Sequence, residues 1–450
     1  MAHITLIFLT LVLVFSLSLL PHNANTTSFE FSTTILNVTA ILPFKPKPHQ
    51  PSSSSSLPLH PIDSGNSLLA RLGRDSARVT YILSKLDNNN NRNLKPNNLS
   101  SPVTSGVSAG NGEYFVRIGV GQPSQQFYMV IDTGSDLTWL QCEPCLPCYK
   151  QTDPIFDPAT SSSYSVIPCD AKSCTLLDKP LCSNRNCHYV LVYGDQSYST
   201  GNLVTEMVSL GQTGSTNRIA MGCGHMNQGL FVGAAGILGL GGGPLSFTSQ
   251  INATSFSYCL VDRGTNKTSS LEFNSARPAD SVTTRLVKNL KAGSLYYAAF
   301  SGVSVGGLKV RVPESTFKID ESGRGGTIID SGTVITRLQR EAYVAVRDAF
   351  VAKTTHLRRA PGFLILDTCY DLSSERSVRV PKVSFEMSDG KSWVIPPRGY
   401  MIPVDAKGTF CFAFAPLPMP LSIIGNVLQQ ETHVTFDLAN SVIGFSPSKC

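Results

Sequence analysis

Two short stretches of this chain combine the residue types that acid–base chemistry needs at a repeated spacing. Ile131-Asp132-Thr133-Gly134-Ser135 closes one apolar, strand-like run, and Ile329-Asp330-Ser331-Gly332-Thr333 closes another 198 residues later. Each is followed by two apolar residues and a glycine: Ile237-Leu238-Gly239 ends 107 residues after Asp132, and Ile423-Ile424-Gly425 ends 95 after Asp330. Such self-similarity marks a chain of two related halves. Two carboxylates brought to about 3 Å cannot both ionise, so one keeps a proton while the other gives it up. A water between them can lose a proton to the ionised group while the protonated one supports the oxyanion forming on an attacked peptide carbonyl. Thr133 and Ser331 suit the sharp turn after each aspartate, Gly134 and Gly332 permit close backbone approach, and the hydroxyls of Ser135 and Thr333 can donate to the carboxylates. A third copy, Asp63-Ser64-Gly65, has no strand-like run before it and no hydroxyl directly after the glycine; we read it as coincidence.

The elements around these turns are predicted to be strands. Glu113 to Val120 alternates, Phe127 to Ile131 is a β-rich apolar run, and the clearest late helix is Gln339 to Lys353, with Tyr343, Val346 and Phe350 on one side. With 450 residues, 42% hydrophobic and 15% charged, 36 Gly and 28 Pro, the composition fits a loop-rich all-β protein with a sizeable core. The net charge of +6 sits mostly at the N-terminus. Residues 1–110 hold 8 Lys+Arg against 4 Asp+Glu and the remainder 29 against 27, so no nucleic-acid partner is expected.

Compartment is read from the N-terminus and the cysteines. Ile4 to Leu20 is an almost unbroken apolar stretch with Pro21 and the small Ala24 behind it, the pattern of a signal peptide over 1–24. No later run is long enough to span a bilayer, so no stable membrane anchor is expected. All twelve cysteines fall at or after Cys142, an even number suited to an oxidising compartment. Cys142, Cys145 and Cys148 form C-x-x-C-x-x-C, but Thr152 stands where an iron–sulfur run needs its fourth cysteine, and no metal or cofactor is expected. Cys169, Cys174, Cys182 and Cys187 crowd a polar stretch that disulfides would staple, with several pairings open. Asn252 and Asn266 lie in glycosylation sequons.

Residues 25–108 read as a polar spacer, most of which cannot build a core, with one exception. Over Ser67 to Leu86, Leu68, Leu72, Val79, Ile82, Leu83 and Leu86 share a helical face, while Arg71, Arg74, Arg78 and Lys85 line a separate stripe. A basic edge is ordinarily a solvated face, yet beside paired carboxylates it is a candidate to dock and block. The spacing does not choose which of the four cations reaches them.

These motifs, together with Gly222-Cys-Gly-His, Phe256-Ser-Tyr-Cys-Leu and Cys369-Tyr-Asp, resemble those of pepsin-type aspartic endopeptidases, specifically the plant nepenthesin-like group and its guard-cell members. The resemblance covers Gly112 to Cys450. It implies an all-β, bilobal fold of two quasi-repeated β-barrel lobes, 109–290 and 291–450, around a cleft, with 25–108 as an inhibitory prosegment. It further implies Asp132 and Asp330 as catalytic residues on a peptide or protein substrate, and a monomer; the signal peptide and the cysteines point to a secreted, extracellular destination, with vacuole or endoplasmic reticulum left open. The implied flap is Tyr193-Gly194-Asp195-Gln196-Ser197, with Trp139 as hydrogen-bonding neighbour of Tyr193; Gln196 departs from the glycine usual there. The implied disulfides join Cys142 with Cys145, Cys148 with Cys223, Cys169 with Cys187, Cys174 with Cys182, Cys259 with Cys450, and Cys369 with Cys411. No room exists for the saposin-like insertion of vacuolar members.

Two rival readings stand beside this one. Gly302-Val303-Ser304-Val305-Gly306 satisfies G-x-S-x-G with His356 and His433 downstream, but an alternating strand follows where a serine hydrolase needs a helix. Plant relatives of the resembled fold also act as non-catalytic inhibitors of microbial glycanases, typically without part of the dyad.

Overall fold

The computed structural model describes residues 31–39, 57–61, 72–83 except 74, 77 and 81, 114–193, 197–210, 215–229, 231, 233–260 and 269–447. The predicted signal peptide, Asp63-Ser64-Gly65, Asn266 and Cys450 lie outside them, as do Arg71, Arg74 and Lys85.

The two aspartate motifs build the same arrangement twice. Gln125–Asp132 is a strand whose end runs parallel to Gly236–Gly239, with Gly239 opposite Asp132. Thr327–Ile329 runs parallel to Ser422–Ile424 with Ile329 opposite Ile424. The strand after each motif then pairs antiparallel with the same partner, Trp139–Gln141 with Gly236–Ile237 and Thr336–Gln339 with Ile423. The apolar-apolar-Gly segments are thus the central strands of two matching crossings, and their glycines are there because a side chain would not fit. A Cβ at Gly239 would fall 2.2 Å from the Asp136 carbonyl oxygen, and one at Gly425 2.5 Å from that of Val334.

Around the first crossing the long hairpin Tyr198–Leu210 and Ser215–Gln228 packs with Tyr114–Val120 and Asn186–Val192. In the second half two four-stranded sheets flank the crossing, and the helix Arg340–Ala352 buries Tyr343, Val346 and Phe350 as its 3.6-residue period requires. Phe300–Val305 turns back at Gly306 and Gly307, both at positive φ, into Leu308–Lys309. Ser304 therefore sits in a hairpin and not at a strand-to-helix elbow.

The spacer reading needs correction. Thr33–Asn37 is a strand paired antiparallel with Ser377–Pro381, and Leu36 and Val38 are fully buried in the main core. Backbone bonds from Ser32 to Gly306 and from Val38 to Arg376, each 3.0 Å, extend the contact. Leu57–Pro61 pairs on one side with residues 114–116 and on the other with 269–271. The β-branched residues and alternating Leu36 and Val38 carried a strand signal that the surrounding polar composition masked.

Four of the implied disulfides also differ, and Cys369 with Cys411 is as implied. Cys142 joins Cys223 and Cys145 joins Cys148, because Trp139–Gln141 runs parallel to Gly222–Gly224 and brings Cys142 to 5.4 Å from Cys223 between Cα atoms. Cys174 joins Cys187 and Cys169 joins Cys182. Cys174 and Cys187 are both buried, whereas Cys182 lies exposed on the outer strand of its hairpin, so burial sorts the four into pairs. Cys369 joins Cys411 across neighbouring strands, and Cys259 is disulfide-bonded. Among the described residues no helix is long and apolar enough to cross a membrane.

Candidate active site

The two crossings set Asp132 and Asp330 face to face, both fully buried. Each carboxylate is held from its own turn. Gly134 N–H donates to Asp132 Oδ1 at 3.0 Å and the Ser135 hydroxyl to Oδ2; Gly332 N–H donates to Asp330 Oδ1 at 3.1 Å and the Thr333 hydroxyl to Oδ2. The glycines also admit the opposite aspartate. A Cβ on Gly134 would lie 2.8 Å from Asp330 Oδ1, and one on Gly332 2.8 Å from Asp132 Oδ1.

Thr133 and Ser331 do more than suit the turns. Ser331 N–H donates to the Thr133 hydroxyl at 2.9 Å and Thr133 N–H to the Ser331 hydroxyl at 3.1 Å. Each hydroxyl then donates across to the other strand, Thr133 to the Ile329 carbonyl at 3.2 Å and Ser331 to that of Ile131 at 3.1 Å. Four bonds thereby lock the two turns, and nothing in either motif alone reveals them. Ser331→Ala removes two and leaves the buried Thr133 N–H without its acceptor; we expect a loss of about 1–3 kcal/mol in stability, read as a lowered melting temperature.

Among the described residues, one cation fills the space between the carboxylates. Every described residue between 72 and 83 is helical, and from that helix Arg78 Nη1 donates to Asp132 Oδ2 at 2.6 Å and Nη2 to Asp132 Oδ1. Nε and Nη2 also reach Asp330 Oδ2 and Oδ1, both at 3.3 Å. Among the described residues, Arg78 is the member of the basic stripe that meets the aspartates, and its side chain is 11% exposed. Burial pushes Asp132 up, but the Arg78 charge, its hydrogen bond and those from Ser135 and Gly134 outweigh it and hold Asp132 below the usual carboxylate range. Burial pushes Asp330 above that range, opposed by Arg78 and reinforced by the Asp132 charge. The pair is therefore split, one group favouring the ion and the other the acid.

The helix is anchored at both ends. Leu72 packs among Val334, Ile335 and the Cys369–Cys411 bridge. Asp75, which the sequence reading passed over, is buried against Arg337 and the backbone beyond Thr333. Val79 and Ile82 enter a second cluster with Trp139 and Tyr193. There Trp139 Nε1 donates to the Tyr193 hydroxyl at 2.9 Å, and Phe231 lies edge-on to both rings at 5.0 and 5.6 Å, a contact no motif signalled. Tyr193 N–H donates to the Ser197 carbonyl at 2.8 Å, closing the base of a hairpin; Gly194, Asp195 and Gln196 lie outside the described residues. Asn252 is exposed, in a left-handed turn.

From the other side, the buried Tyr258 donates to Gln429 Oε1 at 2.5 Å, and Gln429 Nε2 donates to the Asp330 carbonyl at 3.3 Å. This support comes from the Phe256-Ser-Tyr-Cys-Leu motif.

Two family models match the chain, "Xylanase inhibitor N-terminal" over residues 114–274 and "Xylanase inhibitor C-terminal" over 295–447. The Arabidopsis thaliana protein ASPARTIC PROTEASE IN GUARD CELL 2 is 46% identical over 391 residues, covering 85% of this chain and 83% of the relative. Aspartic proteinase nepenthesin-2 of Nepenthes gracilis is 39% identical over 357 residues, 78% of this chain and 81% of the relative. Among solved structures, basic 7S globulin from soybean aligns with a TM-score of 0.59 at 20% identity, covering 74% of this chain and 92% of the globulin, a likeness of fold alone.

Proposed function

We propose that this chain, which belongs to the plant aspartyl protease family and is an aspartic-type endopeptidase, cleaves peptide bonds at acid pH with Asp132 and Asp330 as its working pair and is made as an inactive precursor. The observation that carries this reading is the pair itself: two buried carboxylates, each against the other's glycine and each held by the hydroxyl and N–H of its own turn. A water between them gives its proton to ionised Asp132 as it attacks the peptide carbonyl, and protonated Asp330 donates to the forming oxyanion. The proton on Asp132 then serves the leaving nitrogen. Tyr193, fixed by Trp139, stands at the base of the flap that covers the substrate.

Arg78 occupies the ground that this water and peptide need, which supports reading residues 25–108 as an inhibitory prosegment ahead of two lobes at 109–290 and 291–450. Residues 1–24 serve as a leader to the secretory route and the extracellular space, where Asn252 and Asn266 carry glycans and the chain acts as a monomer. The description of the matching models favours a second reading, a pepsin-fold protein that binds and inhibits microbial glycanases without catalysis. Both aspartates, both supporting hydroxyls and the flap tyrosine weigh for the enzyme.

The test is cleavage of a quenched fluorescent peptide library from about pH 2 to about pH 8, with and without pepstatin, after removal of the N-terminal segment. An acid optimum abolished by the inhibitor is expected. Absence of cleavage by the processed protein would transfer the assignment to glycanase binding, checked next by pull-down.

A further inference from the structure

We infer that Arg337 and the backbone N–H groups of Val334 and Ile335 form a carboxylate-binding subsite beside Asp330, filled here by Asp75 and turned over to an acidic side chain of the peptide substrate once the N-terminal segment leaves. The inference rests on the endopeptidase reading above. Asp75 Oδ1 accepts from Val334 N–H at 2.5 Å and Ile335 N–H at 3.0 Å, while Oδ2 accepts from Arg337 Nη2 at 2.5 Å and Nε at 3.2 Å. Asp75 is 1% exposed and Arg337 5%. Four donors thus converge on one carboxylate in a dry place, and a planar guanidinium with two aligned N–H groups suits the two oxygens of Asp or Glu.

The donors belong to the body of the protein. Val334 and Ile335 directly follow Thr333, whose hydroxyl holds Asp330, and Arg337 sits on Thr336–Gln339, paired on both sides by Phe414–Leu417 and Ile423. They stay in place when the helix goes. The recorded partners of the guanidinium among the described residues are Asp75 and Ser76, both on the departing helix. Removal of that helix leaves a charge without its counter-ion and two N–H groups without acceptors, a state that an anion relieves.

The site lies at substrate distance from the reacting centre. Asp75 precedes Arg78 by three residues, about 4.5 Å along the helix axis. An extended peptide covers that in one or two residues at about 3.3 Å each. The favoured substrates are therefore peptides with Asp or Glu within about two residues of the scissile bond. The preference requires an ionised substrate carboxylate, so it is present above about pH 4 and fades below, opposite to the acid demand of the dyad.

The experiment uses processed protein and fluorogenic peptide pairs that differ only by Glu or Gln at each position flanking the cleaved bond. It compares wild type, Arg337→Gln and Arg337→Lys at about pH 3 and about pH 6, with fluorescence-anisotropy binding of the same peptides read in parallel. At one position wild type should prefer Glu by about 10-fold in kcat/KM and in binding at the higher pH, carried by KM and absent at the lower pH. Arg337→Gln should bring the ratio to about one and Arg337→Lys should restore part of it. Normal cleavage with a Glu-to-Gln ratio near one at every position in wild type, or a ratio unchanged in Arg337→Gln, overturns the subsite and leaves the endopeptidase standing. Cleavage of neither peptide overturns the endopeptidase reading, and the anisotropy ratio alone then decides the subsite, a value near one rejecting it.

Discussion

Asp330→Asn is expected to slow peptide cleavage by at least about 10⁴-fold while the protein still folds, since it removes the proton donor to the oxyanion and unbalances its partner in one step. The amide keeps the shape of the side chain and an oxygen to accept from Gly332 N–H or the Thr333 hydroxyl, which now donate to the carboxylate. It also stands in for a carboxyl that favours its neutral form, so the fold loses little. The locking bonds between Thr133 and Ser331 do not involve the carboxylate. Single-turnover and steady-state rates on a fluorogenic peptide, set beside a circular-dichroism melt, separate the two effects. Turnover within about tenfold of wild type from a correctly folded variant would reject the two-carboxylate mechanism.

Arg78→Gln should have the second-largest effect and the opposite sign on activity, in that the unprocessed chain becomes active. Wild-type Arg78 donates to both carboxylates and fills the space between them. A neutral amide at this position cannot satisfy two facing carboxylates, and loss of one partner from a buried pair removes about 3–5 kcal/mol of the docking energy at neutral pH. The direction with pH follows from the proton count. Burial alone raises both aspartates, and the Arg78 charge draws both down, leaving Asp132 below its ordinary value. The docked state therefore binds fewer protons than the undocked one, and acid favours release. The stability that lowered Asp132 contributes is complete above its unfolded value of about 3.9 and is lost as pH falls through its depressed folded value. Unprocessed wild type should be silent near neutrality and open below about pH 4, while unprocessed Arg78→Gln should cleave peptide at about pH 5 to 6 and melt lower at pH 7 than wild type. Equal silence of both unprocessed proteins over that range would show that Arg78 does not hold the site closed.

What could be read from the sequence followed the range of the physics involved. The aspartates were legible because chemistry at a turn needs a fixed string of small and hydroxylic residues. The helix Arg340–Ala352 was legible because one face repeats every 3.6 residues. Arg78 was visible only as one of four cations on a stripe, since the choice among them depends on the angle at which the helix docks. Asp75 was passed over because an acid in a basic helix looks solvated, although its spacing of three from Arg78 places both on adjoining turns of one face. The four-bond lock between Thr133 and Ser331 needs two segments 198 residues apart to meet, and no local string encodes that meeting. The implied pairs in the Cys-rich first half failed for a related reason, whereas Cys369 with Cys411 held: neighbours in a Cys-rich stretch are nearly equivalent in spacing, and burial, which sorts Cys174 with Cys187, is a property of the folded sheet.

The strand Thr33–Asn37 bears on how the molecule reaches and keeps its shape. It joins residues about 340 positions apart in the chain, while Leu57–Pro61 bridges residues 114–116 to 269–271. The first contact pins early chain to residues 377–381 and the second ties it to strands of the first half, closing long loops whose entropy must otherwise be overcome by packing alone. A chain cut free of its first residues after folding loses that template. Its native state should then persist through a slow unfolding rate, and heating should unfold it irreversibly where the full-length chain recovers.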